Sequence, residues 1–111
     1  MNRYPLVSII IVNYNAGRLL RQCLDSVRQQ TYPNWEVIIV DNASQDDSLA
    51  SVYGFPNLTV IRNDENRGFA AGQNQGIAAS RGQYILALNF DVILLPPFLA
   101  RIVRAMENHP E

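Results

Sequence analysis

Four clusters of polar residues stand directly after apolar runs, and three of these clusters contain carboxylates. They are Asn13-Tyr14-Asn15, Asp41-Asn42-Ala43-Ser44-Gln45-Asp46, Asn63-Asp64-Glu65-Asn66-Arg67-Gly68 and Asn89-Phe90-Asp91. Any one of them is also typical of an ordinary turn, because Asn, Asp and Gly favour turns for local reasons. If the apolar runs are parallel strands, however, all four clusters meet at one edge of a sheet and together indicate a ligand site.

The charged residues in these clusters indicate what such a ligand contains. Asp41 directly follows an apolar run, and a carboxylate there can accept a hydrogen bond from the imide N–H of uracil or thymine. The stretch 66–74 combines Arg67 with small residues and a helix start, which suits close approach to a base or a pyrophosphate. Asp91 can serve as a metal ligand, because Mg²⁺ takes one or two carboxylates and completes its shell with substrate phosphates and water.

The elements that position these clusters are predicted from the hydrophobic pattern. Four runs rich in Val, Ile and Leu indicate strands covered on both faces, over residues 6–12, 36–40, 58–62 and 84–88. Helices are predicted over 16–30 with Asn15 as the cap, over 44–52 with Ser44 and Asp47 as a capping box, over 69–80, and over 97–108 with Pro97 in the first turn. Strand alternating with helix predicts the α/β class, as an open, mostly parallel sheet with helices on both faces.

Composition narrows the class of protein. A chain of 111 residues, 48% of them hydrophobic, can bury one core, so a single domain over residues 1–111 is expected. Ten acidic residues stand against nine arginines and no lysine, and the net charge of -1 argues against nucleic acid as a partner. Cys23 falls in an apolar helical pattern and is predicted to be a core thiol in a reducing compartment. The apolar run 6–12 is too short to span a bilayer, so no transmembrane segment is expected.

Four motifs, in order along the chain, resemble the nucleotide-binding half of family 2 glycosyltransferases, and in particular their rhamnosyltransferase-like branch. They are Val7-Ser8-Ile9-Ile10-Ile11-Val12-Asn13-Tyr14-Asn15, Val40-Asp41-Asn42-x-Ser44-x-Asp46, Asn66-x-Gly68-Phe69-Ala70 and Leu88-Asn89-x-Asp91. The resemblance implies a GT-A fold and inverting transfer of a hexose or rhamnose from a nucleotide-diphosphate sugar to an acceptor hydroxyl. It also implies Mg²⁺ or Mn²⁺ as cofactor, a saccharide or lipid-linked saccharide as acceptor, and a role in cell-surface polysaccharide biosynthesis. The implied location is the cytoplasm, at the inner face of the membrane in the full-length enzyme.

The same resemblance assigns roles to individual residues. It implies that Asp41 contacts the base, that Asn13 and Tyr14 line the nucleoside pocket, and that Arg67 lies near the base or a phosphate. Asp91 is the implied metal ligand. The remaining nucleotide-binding residues expected from these motifs are Asn15, Asn42, Asn66, Gly68, Asn74 and Asn89.

Two residues depart from the pattern of the family. Asn89 stands where many members have the first Asp of an Asp-x-Asp motif, and Phe90 stands where the favoured branch often has Pro. The amide of Asn89 is a weaker metal ligand than a carboxylate. The alternative hypothesis is therefore a non-catalytic nucleotide-binding or interaction module.

The family's general base belongs to a second half of the domain, and none of the carboxylates here lies in a motif that identifies it as that base. The chain is therefore expected to be a donor-binding domain that stops before the acceptor half and is inactive alone. The surface around the fourth strand and the fourth helix, which the acceptor half would cover, is expected to be apolar and to cause self-association. Its residues are Ile93, Leu94, Leu95, Phe98 and Leu99.

A phosphoacceptor receiver with Asp41 as the phosphorylated residue has the same fold class. Receivers need an acidic pair after the first strand, where this chain has Asn13 and Asn15, and a late lysine, which this chain does not have. The sequence therefore disfavours that function.

Overall fold

The structure is a computed structural model that describes residues 4–109, and its elements alternate strand with helix. The strands are β1 (Val7–Asn13), β2 (Trp35–Asp41), β3 (Leu58–Arg62) and β4 (Tyr84–Ala87). The α-helices are α1 (Arg18–Arg28), α2 (Phe69–Ala79) and α3 (Phe98–Asn108), and a 3₁₀ helix covers Ser48–Val52. The predicted α/β class is confirmed.

The four strands form one parallel sheet in the order β3-β2-β1-β4. The chain moves outward from β1 to β2 to β3 and then returns, past β1, to place β4 on the other side. The strand order therefore reverses between β1 and β4, and in open α/β sheets ligands bind beyond the carboxyl ends of the strands at such a point. The clusters that begin at Asn13 and Asn89 flank it.

The helices cover both faces of the sheet. On one face, alternate residues of β1 and β2 pack with α1, α3 and the 3₁₀ helix in the main hydrophobic core, which contains Ile9, Ile11, Leu20, Leu24, Val27, Val37, Ile39, Leu99 and Val103. On the other face, α2 lies against β1 so closely that a β carbon at Gly72 would stand 2.9 Å from Val12 Cγ2. Cys23 is fully buried in the main core, as predicted.

At the amino end of the sheet, a buried carboxylate joins three segments. Glu36 accepts hydrogen bonds from Ser8 Oγ at 2.5 Å, from the Arg81 backbone N–H at 2.8 Å and from the Arg81 guanidinium at 3.2 Å. Burial alone would raise the pKa of the Glu36 carboxyl, but the hydrogen bonds from Ser8 and Arg81 and the charge of Arg81 together hold this pKa below its ordinary value. This cluster lies at the opposite end of the strands from the predicted ligand site and fixes the turn that leads into β4.

Most predicted element bounds are confirmed to within two residues, but the helix predicted over 44–52 is wrong in its first half. Only Ser48–Val52 is helical, as a 3₁₀ helix, and Asp47 at its start makes no side-chain capping hydrogen bond. The capping box does not form because Ser44 binds Asp41 instead, through its hydroxyl at 2.7 Å and its N–H at 3.1 Å.

The predicted cap of the first helix is also wrong. Gly17 occupies the N-cap position of α1, with no side-chain capping hydrogen bond. Asn15 adopts φ 51° and its side-chain oxygen accepts a hydrogen bond from Gln45 N at 2.8 Å. Asn15 therefore joins the loops after β1 and β2 rather than starting the helix. Pro97 likewise precedes α3 as its N-cap instead of lying in its first turn.

The apolar patch predicted after β4 is confirmed in part. Ile93 and Leu95 are 64% and 71% exposed, whereas Leu94 and Leu99 are buried in the core, so their inclusion was wrong. Exposed and buried residues alternate here because the side chains of Leu94 and Leu99 point into the core. An apolar groove of about 580 Å³ runs between β4 and α3 and includes Leu86, Ile93, Phe98 and Ile102.

Candidate functional site

The site is built around two neighbouring strand ends in register. Asn13 closes β1 and Asp41 closes β2, and the two residues are paired in the parallel ladder. Both are buried, at 0% and 1% exposure, on the sheet face that carries α1. The Asn13 side-chain amide donates a hydrogen bond to Asp41 Oδ1 at 2.9 Å. The predicted convergence of these two clusters is therefore confirmed at the level of direct contact.

The loop after β2 holds the Asp41 carboxylate in place from its other side. Oδ1 also accepts a hydrogen bond from the Ser44 hydroxyl at 2.7 Å, and Oδ2 accepts one from the Ser44 N–H at 3.1 Å. The Ser44 hydroxyl accepts in turn from the Asn15 N–H at 3.0 Å. The loops after β1 and β2 are thus tied together around one carboxylate.

A second carboxylate, Asp46, supports the same loop. Its Oδ1 accepts hydrogen bonds from the hydroxyl and the N–H of Ser48, at 2.6 Å and 3.1 Å, and its Oδ2 accepts one from Gly17 N at 2.9 Å. These hydrogen bonds, that from the Ser48 hydroxyl foremost, hold the pKa of Asp46 below its ordinary value. Asp46 therefore acts as an anion that anchors the start of α1 to the 3₁₀ helix.

Asn42, next to Asp41, faces the other side of the sheet and organises the approach to α2. Its Nδ2 donates to Gly68 O at 3.0 Å, and its Oδ1 accepts from Arg67 N at 3.3 Å and from Asn63 Nδ2 at 2.9 Å. Asn63 is held in turn by a reciprocal pair of 2.8 Å hydrogen bonds with Gln75. Asn42 is 1% exposed, so its contacts are with the protein.

The start of α2 lies open beside this anchor. Gly68 is the N-cap residue at φ 89°, a backbone conformation that favours glycine, and it provides no side chain to cap the first turn. The first N–H groups of a helix need outside partners and attract anions. Arg67 and Asn66 beside them are exposed, and so is Asn74 in the second turn of the helix.

The end of β4 carries the candidate metal ligand. Asn89 and Asp91 are exposed, and the Asn89 carbonyl accepts a weak hydrogen bond from the Cys23 thiol at 3.7 Å. Burial, assisted by the negative charge of Asp91, raises the pKa of the Cys23 thiol to about 12, so the thiol stays protonated. One carboxylate and one amide fit a hard divalent cation when substrate phosphates provide further ligands. Within residues 4–109 there is no group of three or more His, Cys, Asp or Glu side chains that could hold a metal alone.

The predicted site residues thus divide by exposure. Asn13, Asp41 and Asn42 are buried anchors, whereas those open to a ligand are Tyr14, Asn15, Asn66, Arg67, Gly68, Asn74, Asn89 and Asp91. Sequence reasoning missed Gln75 and Ser48 as parts of the site, and it placed Asn63 in a polar cluster without giving it a role. Ser48 lies two residues after Asp46, a spacing that favours a local hydrogen bond and could have revealed it. Nothing in the sequence indicated the Asn63–Gln75 pair, because it depends on how α2 sits over the sheet.

Comparison with known proteins identifies the family to which this chain belongs. The model of the family described as "Glycosyl transferase family 2" matches residues 8–111. The chain belongs to glycosyl transferase family 2. The predicted family is therefore confirmed.

Individual relatives agree with the family. An uncharacterized glycosyltransferase of Haemophilus influenzae is 37% identical over 106 residues, which is 95% of this chain and 36% of that protein. A putative colanic acid biosynthesis glycosyl transferase, WcaA of Escherichia coli, is 37% identical over 95 residues, which is 82% of this chain and 34% of that protein. The chain thus spans about a third of the length of these two relatives.

A solved structure confirms the fold. A mannosyltransferase of Pyrobaculum calidifontis, in complex with GDP-Man and Mn²⁺, superposes with a TM-score of 0.87 at 27% sequence identity. The match covers 95% of this chain and 33% of that one. The chain therefore has the expected parallel sheet and matches a glycosyltransferase structure of the GT-A fold. No helix within residues 4–109 is long and apolar enough to cross a membrane.

Proposed function

We propose that this chain binds the nucleotide-diphosphate sugar donor of an inverting glycosyl transfer. The observation that carries the proposal is that Asp41 and Asp91 follow strands at the same edge of the sheet, on either side of β1. Membership in glycosyl transferase family 2 and the likeness to a structure that holds GDP-Man and Mn²⁺ support it.

The base of the donor lies over the ends of β1 and β2. Asp41 accepts a hydrogen bond from a ring N–H on the base, which favours uracil, thymine or guanine because adenine and cytosine have an acceptor nitrogen in that place. Tyr14 is 46% exposed next to this point and covers the nucleoside with its ring. Asn15 joins the same pocket wall through its bond to the loop after β2.

The diphosphate lies between the start of α2 and the end of β4. Arg67 and the uncapped N–H groups after Gly68 meet its negative charge, while Asn42 holds this segment from below. Asn66 and Asn74 border the same opening. Asp91, with Asn89 beside it, holds Mg²⁺ or Mn²⁺, which when bound neutralises charge on the leaving nucleotide diphosphate.

The acceptor is a saccharide or lipid-linked saccharide. This chain acts as the donor-binding domain, and none of the site residues named above serves as the base that deprotonates the acceptor hydroxyl. The proposed reaction is hexosyl or rhamnosyl transfer during cell-surface polysaccharide synthesis, in the cytoplasm at the inner face of the membrane. The match to a putative colanic acid biosynthesis enzyme supports the polysaccharide role.

Calorimetric titration tests the proposal. UDP, dTDP and GDP are titrated into the chain with and without Mn²⁺, and into an Asp91→Ala variant with Mn²⁺. Asp64→Ala, an exposed carboxylate in the loop after β3, is the matched control. Metal-dependent binding of one nucleotide that Asp91→Ala removes and Asp64→Ala keeps is the expected result, whereas no binding by the folded wild-type chain contradicts the proposal.

One observation favours a second function, that of a non-catalytic nucleotide-binding module. The end of β4 has a single carboxylate, because Asn89 stands where many family members carry another. Nucleotide binding that is unchanged by Mn²⁺ and by Asp91→Ala would support this function.

A further inference from the structure

Asn13 has contacts that a pocket-lining residue does not need. It is 0% exposed and Asp41 is 1% exposed, so the two side chains lie together at the floor of the site. Its amide nitrogen lies 2.9 Å from Asp41 Oδ1, 2.9 Å from Ser48 Oγ and 3.2 Å from Ser44 Oγ. Three acceptors therefore surround one donor group.

These acceptors determine which way round the amide sits. The reverse orientation would place the amide oxygen against Asp41 Oδ1, two acceptors with no hydrogen between them. In the observed orientation Asn13 Oδ1 is buried without a hydrogen-bond partner. A buried acceptor without a hydrogen-bond partner destabilises the folded state. The observed orientation therefore keeps the hydrogen bond to Asp41 at a cost in folding stability.

The amide is itself held from the far side. Asp46 binds Ser48 through two hydrogen bonds and binds Gly17 N at the start of α1. Ser48 then accepts from Asn13, and Asn13 donates to Asp41. A continuous series of hydrogen bonds therefore leads from the start of a helix to the carboxylate at the end of β2.

We propose that Asn13 is a positioning residue for Asp41. The Asn13 amide fixes the plane of the Asp41 carboxylate, and thereby sets the preference for bases that carry a ring N–H donor. Cytosine has an acceptor nitrogen in place of the ring N–H of uracil and thymine, so it cannot make this hydrogen bond to the carboxylate. This inference rests on the proposed function of the site as a nucleotide-binding site.

The test compares a nucleotide whose base has a ring N–H donor with one whose base has none. CDP and whichever of UDP, dTDP and GDP binds most tightly are titrated, with Mn²⁺, into the wild-type chain and the Asn13→Ala variant. Asn13→Ala is expected to weaken the N–H-bearing nucleotide about tenfold, the effect of one charge-assisted hydrogen bond, and to leave CDP unchanged. Equal weakening of both nucleotides, or of neither, overturns the positioning role.

An exchange variant distinguishes positioning from folding. Asn13→Asp brings two carboxylates together and Asp41→Asn brings two amides together, so each alone should lose the preference. The double variant Asn13→Asp/Asp41→Asn restores an amide–carboxylate bond with an oxygen free for the base, and it should recover part of the preference. If the double variant is no better than Asp41→Asn, the proposal fails.

Two further measurements keep the outcomes separate. Thermal unfolding of each variant reports whether it folds. If Asn13→Ala does not fold, Ser48→Ala takes its place. Ser48→Ala removes one support of the Asn13 amide and should reduce the nucleotide preference more mildly. A preference that Ser48→Ala leaves unchanged then counts against the proposal. If the wild-type chain binds no nucleotide, the proposed function itself fails, whereas binding with a preference unmoved by Asn13→Ala overturns only this inference.

Discussion

Gly76 of α2 and Ile10 of β1 approach so closely that a β carbon at Gly76 would stand 2.4 Å from Ile10 Cγ2. Real β carbons do not approach other atoms to this distance, so α2 can rest on the sheet only because residue 76 has no side chain. This contact sets the height of α2 above β1 and with it the position of Gly68 and Arg67 at the start of the helix.

Gly76→Ala should therefore destabilise the chain by about 1–3 kcal/mol, the usual cost of overpacking. In an exposed helix the same change would stabilise, because alanine has the higher helix propensity. Chemical denaturation measures the effect. Ile10→Ala removes the atoms in conflict, so adding Gly76→Ala to Ile10→Ala should cost much less than adding it to the wild-type chain. Equal costs in the two backgrounds would show that the contact is not the cause.

Glu36 should make the fold sensitive to acid. Its folded-state pKa lies below the ordinary glutamate value of 4.5, so its contribution is present in full above pH 4.5 and is lost as the pH falls through the folded-state pKa. Glu36→Gln should cost about 1–3 kcal/mol at pH 7, where charged hydrogen bonds to a buried group are lost.

Denaturation curves at several pH values check this. The difference between wild type and Glu36→Gln should shrink as the pH falls below 4.5, and a difference that does not change with pH would contradict the assignment. Arg81→Ala is the control: the Arg81 side chain is 80% exposed, so its loss should cost below about 1 kcal/mol, while the backbone N–H that binds Glu36 remains.

Asn42 should restrict the backbone motion of the segment that precedes α2. Asn42→Ala removes the hydrogen bonds to Gly68 O, Arg67 N and Asn63 Nδ2, so amide exchange in residues 66–68 should become at least tenfold faster. Hydrogen exchange measured by NMR reports this. Asn108→Ala, at an exposed position at the end of α3, is the matched control and should leave these amides unchanged. Unchanged exchange in Asn42→Ala would mean that the segment is held by other contacts.

The face beyond β4 should make the chain self-associate, with a second copy as the partner. β4 is the outer strand of the sheet, and exposed apolar side chains including Ile85, Ile93 and Leu95 border its free edge. Sedimentation velocity should show a concentration-dependent increase in mass that Ile93→Asp/Leu95→Asp abolishes. Tyr53→Asp, at an 82% exposed aromatic residue elsewhere, should keep the association. A monomer at all concentrations would contradict this prediction.

The sequence was sufficient to predict the four strands and the edge of the sheet at which the polar clusters meet. Apolar runs such as 9–12 and 37–40 are typical of buried strands, and parallel strands place their carboxyl ends together. The helix predicted from Ser44 failed because a capping serine and a serine that binds a nearby carboxylate have the same local pattern. The structure shows that the partner of Ser44 is Asp41, three residues earlier in the chain.

The side of the sheet that each site residue faces could not be predicted either, because it depends on packing. Asp41 and Asn42 are adjacent in sequence but face opposite sides of the sheet, so one binds the loop after β2 and the other binds the start of α2. The bond between Glu36 and Arg81 joins residues 45 positions apart. Contacts of this kind follow from the placement of whole elements, and no local pattern encodes them.

The central claim is that the carboxyl edge of β1, β2 and β4 binds a nucleotide diphosphate. Hydrogen exchange read by mass spectrometry, with and without saturating UDP, dTDP or GDP and Mn²⁺, tests it most directly because it locates the ligand. Slower exchange confined to residues 13–15, 41–46, 66–70 and 89–91 is the predicted result. Protection confined to the groove between β4 and α3, or no protection with any of the three nucleotides, would contradict the claim.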